Sequence, residues 1–179
     1  MLLLGCRPKG RHTEQHDVFF GIGNSLSELI PAINDFWPEA KGNIHIDAWR
    51  EVTHVDGFEI SVVSHREKTN NSPSLFFLNL GGYKENEFEE YHYKNLSVAN
   101  SLDEAKLSAK QTAFYKHTGF PGAVSHIDDR FGVDTDDAHE VKDILPASIR
   151  AQYSIQISPS EVSNKDHWQL GYLPLFKIN

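Results

Sequence analysis

With 179 residues and 39% hydrophobic content, the chain can bury a sizeable core, and it holds no apolar run near the roughly 20 residues of a membrane-spanning helix. Its formal charge of −8 argues against a protein that coats phosphate backbones, although a local basic loop can still hold an anion. A single cysteine, Cys6, excludes an intramolecular disulfide and fits a reducing cytoplasm.

In chain order, a short strand is expected at residues 2 to 6. Its Leu3-Leu4-Gly5-Cys6 has the look of a lipoprotein cleavage box, but a signal peptide needs an apolar stretch of about 7 to 15 residues before the cut. A basic loop, Arg7-Pro8-Lys9-Gly10-Arg11-His12, leads to a strand over His16 to Ile22. Ser25-x-x-Glu28 is a capping box. Leu26, Leu29, Ile30, Ile33 and Trp37 then keep the spacing of a buried helix stripe, with Pro31 inside and Pro38 ending it. Strands are expected over Ile44 to Val52 and Phe58 to Ser64, joined through an Asp56-Gly57 hairpin turn. The polar stretch 66 to 74 reads as a linker. Strands at about 75 to 82 and 91 to 98 follow, then a helix capped by Ser101-x-x-Glu104 with Leu102, Ala105 and Ala109 facing inward. A strand over Ala123 to Phe131 and two more, Gln152 to Ile157 and Gly171 to Ile178, complete the chain.

The chain is written twice. Glu14-x-His16, Asn24-Ser25-Leu26-x-Glu28, His45-Ile46-Asp47, Val52, Asp56 and Glu59 recur as Glu90-x-His92, Asn100-Ser101-Leu102-x-Glu104, His126-Ile127-Asp128, Val133, Asp137 and Glu140. The offset is 76 as far as the Asn-Ser-Leu block and 81 from His-Ile-Asp onward. This pattern predicts an α+β fold made by tandem duplication of a ββαββ unit, mainly antiparallel, with one helix per copy and a pseudo-two-fold. The expected boundaries are 1–65 for the first repeat, 66–74 for a linker, 75–145 for the second repeat and 146–179 for strands completing the second. Regrouped, the order is two βαβββ modules, the topology of the glyoxalase-like, vicinal-oxygen-chelate architecture. At the first offset Gly5 falls on Gly81 and Cys6 on Gly82, which reads as a turn. The second copy's strand starts at about Leu75, so the first strand is expected to be clipped at its start.

Capping explains the Asn-Ser-Leu-x-Glu block, and Asp56 and Asp137 read as turn residues. Glu14, His16, His45 and Asp47 with Glu90, His92, His126 and Asp128 are left as candidate site residues. A strand's period of two puts Glu14 with His16, and His45 with Asp47, on one face. Histidines and carboxylates so arranged suit a divalent transition metal, with His16, His92, Glu14 and Glu90 as first candidates, or a carboxylate-oriented base. Equally, such pairs can simply fix strand register. Arg7, Lys9 and Arg11 form a candidate anion site, opposed by acidic residues in the matching loop of the second copy.

The segment from Glu14-Gln15-His16-Asp17-Val18-Phe19-Phe20-Gly21-Ile22-Gly23-Asn24-Ser25-Leu26 to His45-Ile46-Asp47-Ala48-Trp49-Arg50-Glu51-Val52 resembles a bacterial family known only as domain of unknown function 1543. The resemblance is close in the first copy. In the second it is looser, with Tyr93 for Asp17 and Arg130 for Trp49. It implies a bacterial, cytoplasmic protein with one or two copies of a unit of roughly 50 residues, and it supplies no activity or catalytic residue. Three readings stay open. One is a small-ligand, anion-binding or regulatory module with its site between the repeats. Another is a metal-dependent glyoxalase-like enzyme. The third is a structural or protein-interaction module, and a homodimer is compatible with each.

Overall fold

The alternation of Leu2, Leu4 and Cys6 sends one face of the first strand, β1 (Leu2–Cys6), into a core. In the computed structural model, which describes residues 1–65, 73–84, 86–109, 133–161 and 166–178, β1 lies antiparallel between β2 (Gln15–Phe19) and β3 (His45–Arg50). Helix α1 (Leu26–Phe36) runs through Pro31 and lays Ile33 on this core beside Ile44, Ile46 and Leu175. Its N-terminus differs in one bond from the expected capping box. Ser25 Oγ accepts the Glu28 amide at 3.4 Å, but Glu28 Oε2 returns to the Asn24 amide at 2.9 Å and to the Asn24 side chain at 3.2 Å. The asparagine of the repeated block is thereby explained. Helix α2 (Leu102–Ala109) is capped the same way, with Glu104 accepting from the Asn100 amide at 2.9 Å and Ser101 Oγ from the Glu104 amide at 3.2 Å.

A second sheet centres on β6 (Ser74–Tyr83), which pairs with β7 (Glu90–Ala99) on one edge and β8 (Val133–Glu140) on the other. Phe76, Leu78 and Leu80 pack under α2 against Ala105 and Ala109. Leu75 and Phe77 face the opposite way, into a core with Phe20 and Leu96 where the Phe20 and Phe77 rings meet edge to face at 5.5 Å. This corrects the regrouping into βαβββ modules: β6 does not end a first module but is the middle strand of its own sheet. A strand buried on both faces needs backbone partners on both edges.

A third sheet has the order β4 (His54–Val55), β5 (Phe58–Ser64) and β9 (Tyr153–Pro159). Its hairpin turns at Asp56 (φ 52°) and Gly57 (φ 81°), as the Asp-Gly pair predicts. Asp56 Oδ2 also accepts from Ser97 Oγ and the Val98 amide, both at 3.0 Å, and so ties this hairpin to β7. Asp137, by contrast, is not in a turn. It lies within β8 opposite Asn79, whose amide donates to it at 3.2 Å.

The C-terminal strands pair with strands of the N-terminal half. β9 pairs with β5, and β10 (Trp168–Pro174), which starts earlier than expected and ends in a 3-10 turn over Leu175–Lys177, pairs with β3. Both cover open edges of the N-terminal half. Asp166, just before β10, fixes this return. Its carboxylate accepts from Arg50 Nε at 3.0 Å, the Thr53 amide at 2.9 Å, Thr53 Oγ1 at 2.8 Å and the His54 amide at 2.9 Å. Burial pushes the Asp166 carboxyl up, but the Thr53, Arg50 and His54 donors outweigh it and hold the group below the usual carboxylate range. Most of the expected linker and the strand expected over Ala123 to Phe131, with His126 and Asp128, lie outside the described residues. Among the described residues no helix is long and apolar enough to cross a membrane.

Candidate metal centre

Strands on either side of a central strand are about 10 Å apart, so their side chains meet only above a residue that leaves room. Gly5 is that residue. It pairs with His16 on β2 and with His45 on β3, on the sheet face away from α1. A Cβ at Gly5 would stand under 3.0 Å from His45 Nε2 and 2.6 Å from Asp47 Oδ2. The expectation that Gly5 and Gly81 mark turns is therefore wrong: both lie inside strands, and the glycine answers a close approach by side chains of other strands.

The register of β3 supplies the second device. Leu3 pairs with Ala48 and Leu4 with Ile46, which leaves Asp47 as the extra residue of a bulge. Bulges re-aim side chains, and here the extra residue joins the histidines. His45 Nε2 stands 3.1 Å from Glu14 Oε1 and 3.3 Å from Asp47 Oδ2, and His16 Nε2 stands 3.3 Å from Asp47 Oδ2 and 3.7 Å from Glu14 Oε2. The four sequence-predicted residues of the first copy thus form one closed ring of contacts. His45 is buried, while Glu14 and His16 leave the outer side open to solvent. His45 Nε2 and Asp47 Oδ2 are buried atoms without a hydrogen-bond partner, although they are neighbours. The four contacts are close to the roughly 3.3 Å that separates neighbouring donor atoms around a metal with ligand bonds of about 2.0 to 2.2 Å.

Tyr172 completes the wall and was not singled out from the sequence. β10 has an irregularity opposite Asp47, where Leu170 pairs with Ala48 and Leu173 with Ile46, so that Gly171 and Tyr172 loop out. The Tyr172 ring lies 4.3 Å from the His45 ring, centre to centre, and tilted by 39°. Exposed Trp168, Leu170 and Tyr172 along an edge strand were the only local signal. Cys6 is not in a turn but ends β1 with its thiol in the α1 core. Burial, and then Glu14 and Glu39, push that thiol up, away from reactivity.

Around Gly81 a second set gathers. Gly81 pairs with His92 on β7 and with Asp134 on β8, and the shift between Asn79 and Leu80 leaves Asp136 as the extra residue. Glu90, His92 and Asp136 hold ligand atoms within 4.8 Å of one another, with His92 Nε2 3.1 Å from Asp136 Oδ2. The Tyr83 hydroxyl donates to Glu90 at 2.9 Å, and that bond leads the causes that raise its phenol. The strand opposite Gly81 is thus Val133–Glu140, eight residues later in the chain than the match to His126-Ile127-Asp128 implied. In this register Asp136 takes the place of Asp47, and Glu140-Val141 follows as Glu51-Val52 does. His126 and Asp128 themselves lie outside the described residues.

Arg7, Lys9 and Arg11 are exposed in the loop that joins Cys6 to the Glu14 end of β2. A cleft of about 430 Å³ lies elsewhere, against Phe20, the Gly21-Ile22-Gly23 segment, Leu29, Trp49 and Leu75, and neither the acid–histidine residues nor Arg7, Lys9 and Arg11 line it.

A crystal structure of a protein Il1583 from Idiomarina loihiensis is similar in fold, with a TM-score of 0.58 and 21% sequence identity, covering 97% of this chain and 94% of that one. No curated protein matches. The family described as Domain of Unknown Function (DUF1543) matches residues 11–62, a single copy and the stretch that carries Glu14, His16, His45 and Asp47.

Proposed function

We propose that the chain is a metal-binding protein whose first centre holds a divalent transition ion between Glu14, His16, His45 and Asp47. The observation that carries this reading is that the buried atoms His45 Nε2 and Asp47 Oδ2 make no hydrogen bond although they stand 3.3 Å apart, above a glycine that has no room for a side chain. If the pairs only fixed register, these atoms would hydrogen-bond each other; left unmade, each buried group costs about 1 to 3 kcal/mol. Two imidazoles and two carboxylates suit zinc, iron, nickel, cobalt or manganese. Such an ion would act as a Lewis acid toward a ligand entering from the exposed Glu14 and His16 side. The basic loop Arg7 to Arg11 adjoins that side, so an anionic small molecule is the ligand class this reading favours.

We also read the two halves as a tandem duplication with a pseudo-two-fold. Gly5, His16 and the bulged Asp47 match Gly81, His92 and the bulged Asp136 in register, and the two helix caps match bond for bond. Loading chelator-stripped protein with Zn²⁺ or Co²⁺, followed by gel filtration and elemental analysis, tests the centre. Retention of one ion at this centre, lost in His45→Ala and Asp47→Asn, is expected. Retention below about a tenth of an equivalent by the native chain rejects the proposal.

A further inference from the structure

The set around Gly81 repeats the geometry of the first with a different donor chemistry, and we infer that it is a second metal site, selective for a harder, oxygen-preferring ion such as Mn²⁺. Three observations carry this. Glu90, His92 and Asp136 converge from two strands onto one space, their ligand atoms all within 4.8 Å. That space exists because position 81 is glycine; a Cβ there would stand 2.8 Å from Asp136 Cγ and Oδ1. The bulge that delivers Asp136 falls at the same distance from Gly81 as the bulge delivering Asp47 does from Gly5. Surface carboxylates scattered on a strand need neither device.

The composition sets the ion. The register position opposite Gly5 is His45, whereas the position opposite Gly81 is Asp134. The second set, Glu90, His92 and Asp136, offers one imidazole with two carboxylates, where the first offers two imidazoles. Imidazole favours zinc, nickel and iron, and carboxylate with water favours manganese, magnesium and calcium. The His92 side chain is exposed and that of Asp136 partly so, and solvent can fill the remaining coordination positions as those ions require. One chain would thus hold a half-buried centre with two imidazoles and a second one dominated by carboxylate, each on the sheet face opposite α1 or α2.

Although the register comparison draws on the first centre, the test separates the two. The full chain is stripped, given one equivalent of Zn²⁺, and titrated with Mn²⁺ while the signal of free aqueous Mn²⁺ is followed by electron paramagnetic resonance. One Mn²⁺ is expected to bind, at least roughly tenfold more weakly than the Zn²⁺. His92→Ala and the nearly isosteric Asp136→Asn should each weaken Mn²⁺ binding by about tenfold or more and leave the Zn²⁺ in place. His45→Ala should release the Zn²⁺ and keep the Mn²⁺ response. Absence of Mn²⁺ binding, or binding unaltered in both His92→Ala and Asp136→Asn, overturns the second site even where the Zn²⁺ is held. Loss of Zn²⁺ binding from the native chain, with the Mn²⁺ response intact and His92-dependent, overturns only the first.

Discussion

Gly5→Ala isolates the central physical claim, because it adds one methyl group and removes no ligand. The new carbon would lie 2.6 Å from Asp47 Oδ2 and 2.9 Å from His45 Cε1, where ordinary contact starts at 3.4 Å. The imidazole and the carboxylate must therefore retreat by roughly 0.5 to 1 Å, several times the tolerance of about 0.2 Å on metal–ligand distances. His45 cannot simply swing away, since it is buried and the Tyr172 ring stacks on it. Metal affinity should fall by about 10- to 100-fold, as for other losses of ligand orientation. Stability should change less. Overpacking costs about 1 to 3 kcal/mol, partly offset by the 0.5 to 1 kcal/mol gained when a strand glycine becomes alanine. At about 2 to 4 °C per kcal/mol for a domain of this size, the metal-free Tm should drop by a few degrees. A chromophoric-chelator competition measures the affinity, and calorimetry of the stripped protein the stability. Zn²⁺ affinity in Gly5→Ala within twofold of native would refute the claim that glycine makes room for the ligands. Gly81→Ala is the control and should leave the tight Zn²⁺ equivalent untouched.

Tyr172→Ala should weaken Zn²⁺ binding several-fold and shift the visible spectrum of the Co²⁺ form, whereas Tyr172→Phe, which keeps the ring over His45, should do neither; equal effects from both would sink the positioning role. Asp166→Asn cannot serve the donors of Arg50, Thr53 and His54 together and should cost about 3 kcal/mol or more near neutral pH, read from denaturant midpoints. Because the folded-state carboxyl is held below its unfolded value, its contribution is present above about pH 4 and fades as pH falls through the folded value; a native-to-variant gap that persists undiminished in acid contradicts this. Ser25→Ala and Ser101→Ala should each lose about 1 kcal/mol by removing a helix cap, and no change in Tm for either would count against the capping assignment. Cys6 should resist iodoacetamide in the folded protein and react once it unfolds; fast labelling of the native chain would place the thiol outside the α1 core.

What the sequence disclosed was whatever local chemistry dictates. The helix caps, the Ile33 stripe, the Asp56-Gly57 turn and the alternating strands each depend on residues within a few positions, and each appears where its pattern predicts. The misreadings were non-local. Gly5 sits before a polar loop and so resembles a turn residue, whereas its cause is His45 and Asp47, forty residues away in sequence. The His-Ile-Asp identity drew the expected match to residues 126–128, which lie outside the described residues, whereas the strand that pairs with β6 beside Gly81 is β8. No sequence rule assigns β10 to the edge of β3, and without that pairing Tyr172 is just an exposed aromatic.

These misreadings share a physical basis that bears on function. An isolated glycine inside a strand, a bulge and a buried polar atom without a hydrogen bond each lower stability when taken alone. Random drift would remove them singly, since an alanine at Gly5 or a regular pairing at Asp47 would be tolerated by a sheet with no other task. In β1 and β3 all three coincide at one spot, and in β6 and β8 the glycine and the bulge coincide again in the same register with different ligand types. Strand register alone could be fixed by any cross-strand pair without these costs. The coincidence is accounted for if the cost is offset by an ion bound at that spot.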